Sequence, residues 1–470
     1  MKKLYSLLIL LTLTMAGPNT MAAPRTGGQF QVSSTGTSWA GQSGFQPEAG
    51  DTIRTTGGST PAVYIFNSGS FAVADGWNIE VSGIGAGTSG ISVTGTSYFS
   101  GSNLNMITND NFNSGVTSDQ RSFISLVSST IKLFGESAGL RAMNGGTING
   151  TNLMVTTGGA INALNAHGIH IFNNGTVNVT DSEFVLTSAS SGLVQIQGTG
   201  NNTATLTNVT ANLASGSGLV LNTEYSSAAT AITILNINDS TLTGNIQSNG
   251  NTRNTVNLAL SSTLTGRSFR NSNSGLAVNI GNDSCWDVRG ASNLNVLENS
   301  GVLDLRVASS LMVDRVTSGS GSSMAGNGNF TQLASGSTLL SLTGGVVSGA
   351  KLIVTGTAAL AGTLDISLSN LDSAVGQTFA LLSYGGRTGT FEEFLLNGVD
   401  VWQSGTAWTF EDVVISGYFV SGSVAYTANM LTLKITELEI IPEPGTWALI
   451  LGGLGVLGYL QRARRKSAKA

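Results

Sequence analysis

Few side chains in this sequence are of a type that does chemistry. The two histidines, His167 and His170, sit in Ala166-His167-Gly168-Ile169-His170. On a strand, residues three apart face opposite sides, so there the pair cannot share a metal. In a turn they can, with only Asp181 and Glu183 near in sequence to complete a ligand set. No metal site and no cofactor are expected. No Gly-x-Ser-x-Gly elbow followed by a usable His is visible. Acid–base work would fall to Asp181, Glu183, Asp239, Asp283 and Asp287, with Arg253, Arg267 and Arg270 near in sequence. Glu392, Glu393, Glu411 and Asp412 read as a solvated face. Cys285 is the single cysteine, so no disulfide forms within the chain. It reads as a small residue standing where Thr stands in a repeated phrase.

That phrase shows which elements must position these residues. It runs Asp181-Ser182-Glu183-Phe184, Asp239-Ser240-Thr241-Leu242, Ser261-Ser262-Thr263-Leu264 and Asp283-Ser284-Cys285-Trp286, with Ala211-Asn212-Leu213 as a weaker copy. Counted from Phe184 to Leu213, Leu242, Leu264 and Trp286, the steps are roughly 29, 29, 22 and 22 residues, a solenoid-type period. Each copy follows alternating apolar residues such as Val177/Val179 and Val256/Leu258/Leu260, so the unit is strand and not helix. A coil of a parallel β-helix fits, because one coil cannot bury its apolar face and stacking makes a continuous core. The short polar residues before each apolar one then form corners, bonding to nearby backbone. A Greek-key sandwich is the rival architecture, and it would not require a repeating corner phrase.

Composition agrees with such a fold. Only 10% of the 470 residues are charged, the apolar fraction of 40% suffices for a core, and the net charge is -5. Lys132, Lys351 and Lys434 are the only lysines between the two ends, which argues against nucleic acid as a partner. At the start, Lys2 and Lys3, an apolar run over 4–13 and Thr20-Met21-Ala22-Ala23 describe a secretory signal peptide over 1–23. Residues 24–310 are assigned to the β-helix and 311–436 to a C-terminal β segment closing it. The tract Ser318-Gly319-Ser320-Gly321-Ser322-Ser323 reads as a flexible tip or hinge.

The last part, 437–470, has three pieces. Pro442-Glu443-Pro444 comes first, then the apolar stretch with Trp447, Leu449, Ile450, Leu451, Leu454, Val456, Leu457, Tyr459 and Leu460, then Arg462, Arg464, Arg465 and Lys466. The stretch reads as a short transmembrane helix at or below the usual spanning length, held by aromatic residues at its ends and a cytoplasmic basic cluster. The prolines keep the chain before it extended.

Two resemblances follow. The tail looks like a PEP-CTERM sorting signal of exopolysaccharide-producing Gram-negative bacteria. That implies recognition at Pro442, Glu443 and Pro444 by an exosortase, a membrane protease that would remove the helix and the basic tail. The body, through Trp286-Asp287-Val288, Ser292-Asn293-Leu294 and Asn299-Ser300-Gly301-Val302-Leu303-Asp304, resembles autotransporter passengers, which implies an all-β, right-handed parallel β-helix. Autotransporters end in a membrane barrel, and too little chain follows Phe391 for one.

The expectation is an exported structural or adhesive protein of the cell surface, matrix or biofilm. It would pass through the Sec machinery, be anchored by one C-terminal span until processed, and meet exopolysaccharide or cell-surface glycans. The alternative is a β-helix polysaccharide lyase or glycoside hydrolase. Ser261 takes the place of the recurring Asp, which favours turn bonding and a body that is not an enzyme.

Overall fold

The structure, a computed structural model, describes residues 25–26, 30–33, 36–39, 42–43, 47–56, 61–82, 89–109, 114–134, 138–158, 166–187, 192–213, 218–224, 231–346, 349–401, 407–441 and 444–467. The expected signal peptide, Pro442 and Glu443 lie outside them. The chain is 63% strand, wound as a β-solenoid of about 12 coils.

Each coil contributes one strand to each of three parallel sheets. The first sheet includes Ser114–Ser118, Ala138–Met143, His167–Phe172, Gly192–Gln197 and Leu219–Thr223, each paired to the next in parallel. The second includes Phe71–Asp75, Tyr98–Ser102, Phe123–Val127 and Thr147–Thr151. The third includes Asn78–Ser82, Asn105–Thr108, Thr130–Leu133 and Met154–Thr157. Thr176–Leu186 and Asn201–Leu213 turn the corner between the second and third sheets as unbroken strands.

Alternating apolar residues point into the tube and stack in columns. In the third sheet one column passes through Ile79, Met106, Ile131, Val155, Phe184 and Ala211. The ladder then shifts one coil through Thr210 and Thr241, and the column resumes at Leu242, Leu264, Trp286 and Leu303. Phe184, Leu242, Leu264 and Trp286 are each 0% exposed. The weak copy is out of step by two residues: Ala211 occupies the column, and Leu213 pairs with Leu186. Ala211 is small where its neighbours are large, so its apolar signal is faint and Leu213 imitates it.

Parallel pairing runs on to Thr363–Ser369 and Glu393–Leu396. Beyond it, Ala407–Ile415, Tyr418–Tyr426 and Met430–Ile440 form an antiparallel sheet that pairs back onto Thr378–Gly389. Phe410, Val420, Val424, Leu431 and Leu433 bury its inner face in the same core.

Two expectations are corrected here. The Ser318–Ser323 tract is no free tip. It holds a 3-10 turn, Ser320–Ser323, packed against three coils. Ser320 Oγ donates to the Asn251 carbonyl at 2.9 Å, and Gly321 N–H donates to the Asn273 carbonyl at 3.1 Å. Small residues allow that close packing as readily as they allow flexibility. At the end of the chain a helix does form, Pro444–Ser467, but among the described residues no helix is long and apolar enough to cross a membrane. The single-pass anchor is therefore not supported. At 1.5 Å per residue, a helical run of about 14 apolar residues covers about 21 Å of a hydrocarbon layer about 30 Å thick. Gly452, Gly453, Gly455 and Gly458 dilute the run, and Arg462 and Arg464 begin within its last turns. Leu449, Leu451, Leu454, Val456, Leu457, Tyr459 and Leu460 are all exposed, as is Ile450.

Candidate functional site

The corner between the second and third sheets is built from two residues per coil. The first takes a left-handed backbone: Ser128, Asn152, Asp181, Asn208, Asp239 and Asp283 have φ between 46° and 61°. Asn and Asp tolerate that region better than most residues. The second points inward, often as a buried serine. Ser182 Oγ donates to the Thr180 carbonyl at 2.7 Å and accepts the Leu153 N–H of the preceding coil at 2.9 Å. Ser240 repeats this with the Asn238 carbonyl and the Val209 N–H. Ser262 and Ser284 accept Ser240 N–H and Ser262 N–H, each across 22 residues of chain. The recurring Asp-Ser phrase is thus a corner joint.

Outside this corner lies an open groove of about 410 Å³ crossing four coils. One wall is the left-handed row Ser128, Asn152, Asp181 and Asn208. Asn152 Nδ2 donates to Ser128 Oγ at 3.0 Å, and Asn208 Nδ2 donates to Asp181 Oδ1 at 2.6 Å. The opposite wall is Thr130, Met154, Glu183 and Thr210, in ladder register. Two of the acid–base candidates, Asp181 and Glu183, therefore share a groove. The others do not join them. Asp239 and Asp283 are exposed corners on later coils, separated by Ser261. Arg253 lies near the start of the second-sheet strand Thr252–Ala259, and Arg267 lies beside the first sheet. Arg270 is buried and ion-paired to Asp314.

The histidines depart from simple alternation. The ladder skips the Gly139–Gly168 pair, and the two rings come to 6.4 Å between centroids. Even so, His167 Nδ1 accepts Gly192 N–H at 3.2 Å and His170 Nε2 pairs with Gln197 Oε1 at 3.1 Å, so both rings are engaged. Among the described residues no group of three His, Cys, Asp or Glu is arranged to hold a metal. Burial lowers His167 to about 4. Burial, then the charge of Arg141, lowers His170 to about 3. Both are neutral at pH 7.

A belt of charge on the outer third sheet escaped sequence reasoning apart from Asp287. Asp287 pairs with Arg289, and Asp304 pairs with Arg306 at 2.6 Å on the next coil. Burial pushes Asp304 up, but the bonds and charge of Arg306 outweigh it and hold the carboxyl low. Asp365 lies further along and is raised, first by burial. Lys351 donates to the Arg306 carbonyl at 3.2 Å. The signal was an Asp-x-Arg spacing, Asp287-Val288-Arg289 and Asp304-Leu305-Arg306, which brings an arginine just past the strand end back to the outward carboxylate. Asp287 and Asp304 are each neutralised by the arginine two residues on. Cys285 is half-buried, aligned with Thr263, and raised first by burial and then by Asp304. Glu393 accepts from Thr363 Oγ1 at 2.8 Å, while Glu411 and Asp412 line a separate open groove on the terminal sheet.

Comparison with known proteins places both ends of this description. Residues 441–466 match the PEP-CTERM protein-sorting motif. That signal marks an exported, cell-surface protein and implies exosortase-dependent sorting in general. The body is similar to the crystal structure of the autotransporter UpaB from E. coli strain CFT073. The TM-score is 0.52 at 13% identity, over 89% of this chain and 100% of that one, a likeness of fold alone. No curated protein matches the chain.

Proposed function

We propose that this chain is a non-enzymatic structural or adhesive protein of the outer surface or extracellular matrix, holding exopolysaccharide or cell-surface glycans along its solenoid. It would leave the cytoplasm through the Sec machinery and be cut by an exosortase at Pro442-Glu443-Pro444, which releases the body. The observation that carries this reading is the sorting motif at 441–466, attached to a β-solenoid whose outer rows are neutral amides and hydroxyls. Asn178 donates to Asn149 at 2.9 Å, and Asn257 and Asn279 each donate to the preceding Asn at 2.8 Å. Each such amide spends one N–H on its neighbour and turns the rest outward.

The test has two parts. Replacing Pro442, Glu443 and Pro444 by alanine should leave the tail uncut, while the native chain reaches the surface or medium shortened. Equal release of both would refute the processing step. Purified body incubated with the host exopolysaccharide should retain it without shortening it. Release of oligosaccharides would instead favour a lyase or hydrolase.

A further inference from the structure

We propose that the corner groove takes a sugar chain that presents hydroxyl and amine donors and rejects one that carries carboxylates. This rests on the glycan-holding role above and names the class of glycan. The argument starts from geometry. With coils about 4.8 Å apart, a groove across four of them is about 14 Å long, more than one sugar ring needs. No Lys, Arg or His lines it. Asp181 Oδ1 accepts from Asn208 Nδ2 and the carboxylate keeps further acceptor sites, since an ionised carboxylate has about four. Glu183 is exposed, and its carboxylate has no hydrogen-bond or ion-pair partner among the described residues. The groove therefore offers a surplus of acceptors and of negative charge.

Its wall also breaks polarity at one place. Met154, 44% exposed, stands between Thr130 and Glu183 in the ladder. An apolar patch among convergent polar groups is the usual lining of a site that binds an amphipathic small ligand, such as a sugar ring with its C–H face. A protonated amine makes charge-assisted bonds to Asp181 and Glu183, about twice as strong as neutral ones. A uronate would bring like charge to the same two groups.

The full-length chain should be titrated with glucosamine, glucose and galacturonate oligomers at physiological salt. Glucosamine oligomers should bind on the order of tenfold tighter than galacturonate, with glucose oligomers between. Glu183→Lys should erase that order without moving the melting temperature, because only the backbone of Glu183 is bonded into the fold and its carboxylate has no partner among the described residues. Met154→Gln should weaken glucosamine and glucose binding several-fold, while Asp283→Asn, on a corner outside the groove, should change neither. Galacturonate bound as tightly as glucosamine, or an order unchanged in Glu183→Lys, would overturn the assignment. If the host exopolysaccharide is still held in that case, the glycan-binding role survives at another place. Failure to hold any of these sugars or the exopolysaccharide would sink both.

Discussion

The hydroxyl of Ser262 donates to the Ala259 carbonyl at 2.6 Å and accepts the Ser240 N–H at 3.3 Å, at 0% exposure. Removing it leaves a buried N–H on one coil and a buried carbonyl on its neighbour without that partner. Ser262→Ala should therefore cost about 1–3 kcal/mol, read as a lower urea midpoint at unchanged slope. A midpoint equal to the native one would show that the corner joint contributes nothing. The histidines give a second test at this scale. Their folded pKa values of about 4 and about 3 lie below the usual 6.5 or so, so the unfolded chain binds protons first as pH falls. Their contribution is complete above about pH 6.5 and is lost progressively towards pH 4 and 3. His170→Gln keeps a polar side chain and should flatten the fall in melting temperature between pH 6.5 and 4. A slope identical to the native one would contradict the burial that lowers these groups. The irregularity at Gly168 explains why sequence reasoning had the two rings on opposite faces. Alternation holds only while every residue keeps its place in the ladder.

Between the first and third sheets the coils that carry Gly115 and Gly139 are so narrow that this position has no room for a side chain, whereas Leu193 and Val220 fill the same position further along. A Cβ on Gly115 would lie 2.4 Å from Ile131 Cγ2, and one on Gly139 2.4 Å from Val155 Cγ1 and 2.9 Å from the Gly168 carbonyl. Gly139→Ala should destabilise by about 1–3 kcal/mol through overpacking. Gly349→Ala, with nothing within 4 Å of the added carbon, should be close to neutral in the same thermal melt. Strand and corner were readable at this scale because each has a local cause: period-two apolar residues and a left-handed Asp or Asn before an inward Ser. The partner of each strand was less so. Ala211 and Leu213 are two residues apart on one face, and only the neighbouring coils determine which of them enters the column beneath Phe184.

In the whole molecule, coils contact mainly their neighbours, so stability is close to a sum of coil and interface contributions, and the open ends matter most. The antiparallel sheet from Ala407 to Ile440 covers one end and buries Phe410, Val424 and Leu433. A chain ending at residue 406 would expose that end and its unpaired edges. It should elute as oligomers or aggregates in size-exclusion chromatography. A monomeric elution profile would show that the last coil closes itself.

The sequence alone determined that the body is a stack of strands with repeating corners and that the tail is a sorting signal. Both follow from short-range patterns in which neighbouring residues fix each other's backbone. Tertiary structure alone decided what stands beside what. The meeting of Asp181 and Glu183 with Asn152, Met154 and Asn208 in one groove, the Asp287 and Asp304 belt, and the seating of the Ser318–Ser323 tract all depend on coil length and register. Residues that lie 17 to 69 positions apart become neighbours only when every intervening turn has chosen its path, and no local pattern records the sum of those choices.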